Sequence, residues 1–426
     1  MRIGIAGLGT VGAGLIELIQ KHGDLLARRG GKGLEITAVS ARDKSRDRGV
    51  DCSGYEWFDN ATDLAASDKV DVVVELIGGS DGIAREVVET AIGNGKAVVT
   101  ANKALIAHHG TSLAAAAESM NVPLSFEAAV AGGIPIVKAL REGLAGNEIS
   151  RVYGILNGTC NYILTQMEES GRDFEDVLDD AQKLGYAEAD PAFDIDGVDA
   201  AHKIAILASL AFGCPVDFDA LHIEGIRHVT ALDIAYATEL GYRIKLLAIA
   251  RRGEGGIEQR VHPCMVPLHT PIAHVDGVFN AVVAEGDFVD QTMYEGRGAG
   301  AGPTASAVAA DLVDIARGLN LAPFAVAASD LQEVPTLPMD EHEGPVYVRL
   351  MVLDQPGVMA DVAAILRDEN VSIESVLQRG RSPGEVVPVI LILHDAREGA
   401  MKRVLKSLEE MEPVVEPPRM IRIELL

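Results

Sequence analysis

The sequence predicts an α/β chain in three parts: a parallel sheet wound with helices, a mixed α+β domain, and a small C-terminal βαββαβ module. Three observations carry this. The first ~130 residues alternate short β-branched runs with longer amphipathic stretches, the rhythm of a parallel sheet. From roughly residue 135 that rhythm breaks into longer helical stretches mixed with strands. A proline- and acid-rich segment, EVPTLPMDEHEGP, then precedes a run of about 80 residues that reads β-α-β-β-α-β.

The elements follow in order. RIGIAG is a strand and TVGAGLIELIQKH a helix. LEITAVS is a second strand, VDVVVELIGG a buried one, REVVETAIGNG a helix closed by glycine, and KAVVTANK another strand. Residues 1–134 thus form the first domain. His108 and His109, without a partner at ligand spacing, read as part of a loop. Over 135–302, VYGILNGTCNYIL runs into a helix, helical stretches follow at 174–184 and 199–211, and strand-like pieces at 259–266 and 278–285. The turn in YEGRGAGAGP leads into a helix, 303–322, that returns to complete the first domain. Residues 323–345 read as a linker between two cores, with the module at 346–426. Deleting residues from about 340 onward is therefore expected to leave a folded, active protein.

Composition narrows the function. At 48% hydrophobic and 23% charged, the chain has the make-up of a soluble globular protein. A net charge of −26 opposes nucleic acid and anionic membrane as partners. Cys52, Cys160, Cys214 and Cys264 lack metal-ligand or disulfide-framework spacing, as reduced thiols do. No apolar run spans a bilayer, and a strand at the start leaves no room for a signal peptide, so a cytoplasmic location is expected.

GLGTVGAG places Gly7, Gly9 and Gly12 in G-x-G-x-x-G between a strand and a helix, with Thr10 and Val11 inside the same turn. Gly7 allows the tight turn, Gly9 clears space for a pyrophosphate, and Gly12 lets helix and strand approach. The helix N-terminus then offers unsatisfied N–H groups to the phosphates. This is a Rossmann-type dinucleotide site. The acid that grips the ribose in NAD-preferring sites is missing after LEITAVS, whereas Arg42 and Lys44 can pair with a 2′-phosphate. NADP is expected over NAD, although a solvated charged loop reads almost as well.

AHKIAILASL, an apolar helix, carries Lys203 with Asp199 one turn before it on the same face. Such a pair is most often a surface ion pair, yet the residues around it are suited to burial. TANK, FEAAVAGGIP, GILNGTCNYIL, KLGYAEADPAFDIDGVDAAHK and GRGAGAGPTASAV follow one another along the chain. Together they resemble the homoserine dehydrogenase family, in its form with a C-terminal ACT domain, over nearly the whole chain.

That resemblance implies a fold of Rossmann-type sheet, α+β catalytic domain and ACT-like domain. It implies NAD(P)H-dependent, reversible reduction of L-aspartate 4-semialdehyde to L-homoserine, on the route to threonine, methionine and isoleucine. Some relatives are fused to an aspartate kinase; none is seen here, so a monofunctional enzyme is expected. Lys203 would be the proton donor, with Asp199 holding it or a bound water. Lys103 would be a second lysine at the nicotinamide end, beside Thr100. Glu188 would receive the substrate ammonium, supported by Asp194. Gly302 would approach the nicotinamide or serve as a hinge. Glu127 and the carbonyls of Val130, Gly132 and Ile134 would hold a monovalent cation such as Na+. LDQPGVMADVAAIL resembles an ACT signature, which implies a threonine effector, or dimerisation alone, in a homodimer or homotetramer. Two other readings stay open: a dehydrogenase for a neighbouring amino-acid aldehyde, and a non-catalytic amino-acid sensor.

Overall fold

The computed structural model describes residues 1–379 and 383–426. Six parallel strands form the first sheet: β1 (Arg2–Ala6), β2 (Glu35–Ser40), β3 (Glu56–Phe58), β4 (Val72–Glu75), β5 (Ala97–Thr100) and β6 (Leu124–Ser125). Their order is β3-β2-β1-β4-β5-β6. VVVE of β4 and AVVT of β5 are buried throughout, since helices cover both faces of such a sheet. The strand order reverses between β1 and β4, and the glycine-rich turn leaves β1 at that switch point.

Helix Thr10–Gly30 outruns the predicted TVGAGLIELIQKH, continuing past a non-helical His22 to Gly31. It packs on helix Ala301–Arg317, where Leu15, Ile16 and Ile19 share one core with Ala305, Val308 and Leu312. Gly318, at φ 85°, stops that helix at Arg317, five residues short of the expected 322. His108 and His109 do not lie in a loop. They belong to helix Lys103–Ser119, whose start is capped by Asn102, its Oδ1 accepting from Leu105 N at 3.1 Å. The His108 ring packs 4.7 Å from Phe218, a tertiary contact that local sequence does not disclose.

The remaining strands are β7 (Ile149–Ile155), β8 (His222–Ile223), β9 (Tyr242–Gly253), β10 (Gly256–Pro267), β11 (Phe279–Gly286), β12 (Asp290–Arg297), β13 (Glu343–Leu353), β14 (Ile373–Gln378), β15 (Val386–Arg397) and β16 (Arg419–Ile423). They make one continuous sheet, β12-β11-β7-β9-β10-β16-β13-β15-β14, with β8 beside β10. Helix Val198–Phe212 packs on it, buried along almost its whole length.

The C-terminal module has the expected βαββαβ sequence of elements, but it is not set apart by a free linker. Cys264 and Met265 of β10 pair in parallel with Arg422 and Ile423 of β16. Tyr347, Ile390, Ile392, Ile421 and Ile423 enter the same apolar core as Ile204, Tyr236 and Met265. The segment read as a linker runs along β10, with Ile257 N donating to Pro335 O and Leu337 N to Ile257 O, both at 2.9 Å. Proline lacks an N–H but keeps its carbonyl, so Pro335 still accepts, and acidic side chains do not bar backbone pairing. Buried Asp233 also accepts from Arg349 Nε at 2.7 Å and Tyr347 Oη at 3.0 Å across the junction. Truncation to residues 1–339 is accordingly expected to bare apolar surface and produce an aggregating or strongly destabilised protein. Thermal unfolding and size-exclusion of that fragment check this; a monodisperse fragment melting like the full chain would refute it.

Candidate active site

The glycine-rich turn has the geometry a dinucleotide needs. Gly7 sits at φ 105°, where a Cβ would stand 2.5 Å from Leu76 O. A Cβ on Gly12 would stand 2.2 Å from Gly7 O, so helix and turn touch backbone to backbone. A Cβ on Gly9 would meet no other atom within 4 Å, so the turn is open on that side, where a phosphate can approach. Gly9 is also the N-cap of Thr10–Gly30 and supplies no side-chain acceptor, so the first-turn N–H groups are free for an anion. These features fit a bound NAD(P).

The same cleft, of ≈660 Å³, is lined by Val11 of this turn, by Lys103 after β5, and by Asn157, Asp194, Asp199 and Lys203 of the second domain. Asp199 stands at its centre. Its Oδ1 is 2.9 Å from Lys103 Nζ, and its Oδ2 is 2.7 Å from Lys203 Nζ and 2.8 Å from Asn157 Nδ2. Lys203 also donates to Leu156 O at 2.6 Å, and Asn157 Nδ2 reaches Asp194 Oδ1 at 2.9 Å. Asn157 is placed by its second task, since its Oδ1 accepts from Cys160 N and caps helix Gly158–Ser170.

The two lysines are tuned in opposite directions. Burial depresses the pKa of Lys203; Asp199 opposes that and the Lys103 ammonium adds to it, leaving the net direction downward. Burial acts downward on Lys103 too, but the carboxylates of Asp199, Asp194 and Glu188 outweigh it, so its pKa is raised. Asp199 itself is held well below the usual carboxylate range, because the two ammonium groups outweigh its burial. The Lys203 ammonium therefore gives up its proton more readily than that of Lys103. Behind them His202 stacks on Phe218 at 4.5 Å, and burial pushes its pKa down to about 4, so the ring is neutral.

Other predicted residues fall less centrally. Glu188 is exposed outside the cleft lining and reaches the cluster through its field on Lys103. Thr100 is fully buried, its hydroxyl donating to Glu75 Oε2 at 2.6 Å, so it steadies the β4–β5 end instead of facing the cleft. Gly302 borders open space, but the wall there is built by Gly298, Ala299, Gly300 and Thr304. Arg42 and Lys44 are exposed, with Lys44 Nζ 5.7 Å from the centre of the Trp57 ring.

Glu127 is buried, its Oε1 accepting from Val137 N at 3.0 Å and its Oε2 from Lys138 N at 2.8 Å. Burial and the neighbouring Asp311 push its carboxyl up to about 7. Val130 and Ile134 are buried close by, and a Cβ on Gly132 would lie 2.4 Å from Gly298 O.

Sequence reading missed Asn157, Glu75, Asn102 and Arg48. Glu75 Oε1 accepts from Ile77 N at 2.7 Å and Gly78 N at 3.1 Å, while Asn102 Nδ2 donates to Gly79 O at 2.7 Å, so the two shape the cleft wall at 76–79. Arg48 Nε donates to Leu8 O at 3.1 Å, tying the basic loop to the glycine-rich turn. The signals available were the acid ending VVVE, the capping Asn of TANK and the N-G of LNGT.

A dinucleotide turn and a buried lysine–carboxylate cluster on one cleft are what an NAD(P)-dependent oxidoreductase requires. Residues 135–313 match the family model for homoserine dehydrogenase, residues 7–127 that for the homoserine dehydrogenase NAD-binding domain, and residues 346–410 that for the ACT domain. The chain belongs to the homoserine dehydrogenase family. The homoserine dehydrogenase of Pseudomonas aeruginosa is 47% identical, covering 100% of this chain and 99% of its own. A homoserine dehydrogenase crystal structure from Thiobacillus denitrificans has a TM-score of 0.94 at 45% identity, over 100% of this chain and 98% of that one. A hyperthermophilic archaeal homoserine dehydrogenase in complex with NADPH has a TM-score of 0.65 at 27% identity, over 75% and 98%. Among the described residues, no helix is long and apolar enough to cross a membrane.

Replacing Lys203 by Ala is expected to lower kcat about a hundredfold or more, with cofactor affinity nearly unchanged. With Lys203 as the donor, carbonyl reduction in the wild type would draw on its protonated form, so the rate should fall as pH rises through the depressed Lys203 pKa. Alcohol oxidation needs the neutral amine and should rise over the same range. Initial rates in both directions across pH, for wild type and variant, measure this. An unchanged profile in the variant would remove Lys203 from the proton transfer.

Proposed function

We propose that this enzyme reduces L-aspartate 4-semialdehyde to L-homoserine, and runs the reverse, with Lys203 as proton donor and NADP(H) preferred to NAD(H). The observation that carries the reading is the buried Asp199 with an ammonium group on each oxygen, on the cleft that the glycine-rich turn opens into. Bound nicotinamide supplies the hydride. As negative charge grows on the aldehyde oxygen, Lys203 gives it a proton and Lys103 stabilises it. Glu188 and Asp194 receive the substrate ammonium from the open side. Exposed Arg42 and Lys44 meet the 2′-phosphate of NADP, on a loop that Arg48 fastens to the glycine-rich turn. NADPH is the cofactor bound in the archaeal relative, which supports the preference.

The cation reading rests on charge. Glu127 and Asp311 are buried carboxylates, and Lys138, 3.1 Å from Asp311, also pairs with Asp314, so a further positive charge fits beside Glu127. Glu127 with the carbonyls of Val130, Gly132 and Ile134 would hold a monovalent cation such as Na+ in a structural role. Threonine acting through the ACT module, in a homodimer or homotetramer, completes the proposal.

Oxidation of homoserine with NADP or NAD, followed by nicotinamide absorbance, tests the reading directly. Glu188→Gln should raise KM for homoserine with kcat little changed; a fall in kcat alone would move Glu188 into the chemistry. Neutralising Arg42 and Lys44 together should weaken NADP more than NAD, and equal effects would leave the loop merely solvated.

A further inference from the structure

One short segment, His222 to Arg227, joins the ACT module to the acidic turn of the active site. β8 pairs in parallel with β10, and Glu224 N donates to Val261 O at 2.7 Å. Gly225 then lies against the active-site turn backbone to backbone: a Cβ there would stand 2.1 Å from Ile195 O and 2.5 Å from Asp196 Cα. Ile226 N donates to the same Ile195 carbonyl at 2.9 Å, and the Arg227 guanidinium pairs with Asp196. Ile195 directly follows Asp194, and Gly197, at φ 87°, leads into the helix that carries Asp199 and Lys203.

On its other side this segment is gripped by the module. Arg422 of β16, 3% exposed, donates to Glu224 Oε1 and Oε2 at 2.8 and 2.9 Å, and also holds buried Glu398. His222 Nε2 lies 2.6 Å from Glu224 Oε1. The chain of contact from Arg422 to Asp194 thus contains one ion pair, held in a fixed geometry by two parallel hydrogen bonds, and one backbone-to-backbone contact with no side chain between.

We propose that Glu224, held by Arg422, is a positioning residue for the reaction: it fixes the Ile195–Gly197 turn and thereby sets Asp194 and Asp199 relative to substrate. This rests on the reading of Asp194 as a substrate-side carboxylate. Substrate binding then depends on an ACT-module residue that lines no part of the cleft, whereas the cofactor turn, on the other domain, lies outside the relay.

The test is steady-state kinetics on the full-length enzyme. Glu224→Ala leaves Arg422 paired with Glu398 and should raise KM for homoserine about tenfold, with KM for NADP unchanged. Glu224→Gln, which keeps the shape and one acceptor, should recover most of the loss. Tyr347→Phe, which removes the hydroxyl bound to Asp233 at the same junction, should lower the melting temperature and leave both KM values alone. Asp194→Asn is measured alongside and should itself raise KM for homoserine. If it does while Glu224→Ala matches wild type, the positioning role is overturned. If Glu224→Ala raises both KM values together with a lowered melting temperature, the residue is structural only. If Asp194→Asn has no effect, the reading of Asp194 fails and takes the relay with it.

Discussion

Asp199 lies inside the protein with an ammonium group on each carboxylate oxygen and an amide on one of them. Burying any of these charges alone is costly, and removing one partner of such a pair strands the other. The four groups must therefore arrive together, from three places in the chain. Lys103 comes from the end of β5, Asp199 and Lys203 from one face of a buried helix, and Asn157 from the end of β7. The joint between the first two domains is fixed where these meet. A helix that is apolar elsewhere can bury a lysine because that lysine is already paired one turn back.

The glycines carry a second constraint. The Gly132 region and the Gly298–Gly300 stretch approach too closely for any Cβ between Gly132 and Gly298. That contact brings the wall before helix Ala301–Arg317 onto the cleft, while the helix itself packs beneath the dinucleotide turn. The cleft wall at Gly298–Gly300 is thus held by backbone packing, as the lysine cluster is by its ion pairs, which leaves little freedom to the domain pair. Glu75 and Asn102 do the same for the loop at 76–79, fixing it by hydrogen bonds to its own backbone.

The ACT module shows how far composition can mislead about independence. Its strands complete a sheet begun in the catalytic domain, and its inner face shares that domain's core. Arg349 and Tyr347 add buried polar contacts across the junction, and Arg422 a half-buried one. A module attached in this way is mechanically continuous with β10 and the segment beside it.

What the sequence alone determined is local. G-x-G-x-x-G between a strand and a helix carries its own reason, because each glycine answers a steric demand within a few residues, and the structure shows those demands at Gly7 and Gly12. The spacing of Asp199 and Lys203 likewise needed only helical geometry, and β-branched runs marked the parallel strands. Tertiary structure decided what depends on residues far apart. That Lys103 shares Asp199, that Thr100 turns inward to Glu75, that Glu188 stays at the surface, and that His108 packs in a helix against Phe218 are set by which segments meet. The linker that proved to lie along β10 belongs with them. Polarity and periodicity report a side chain's own preference for water, whereas these outcomes depend on the partner that each group finds across the fold.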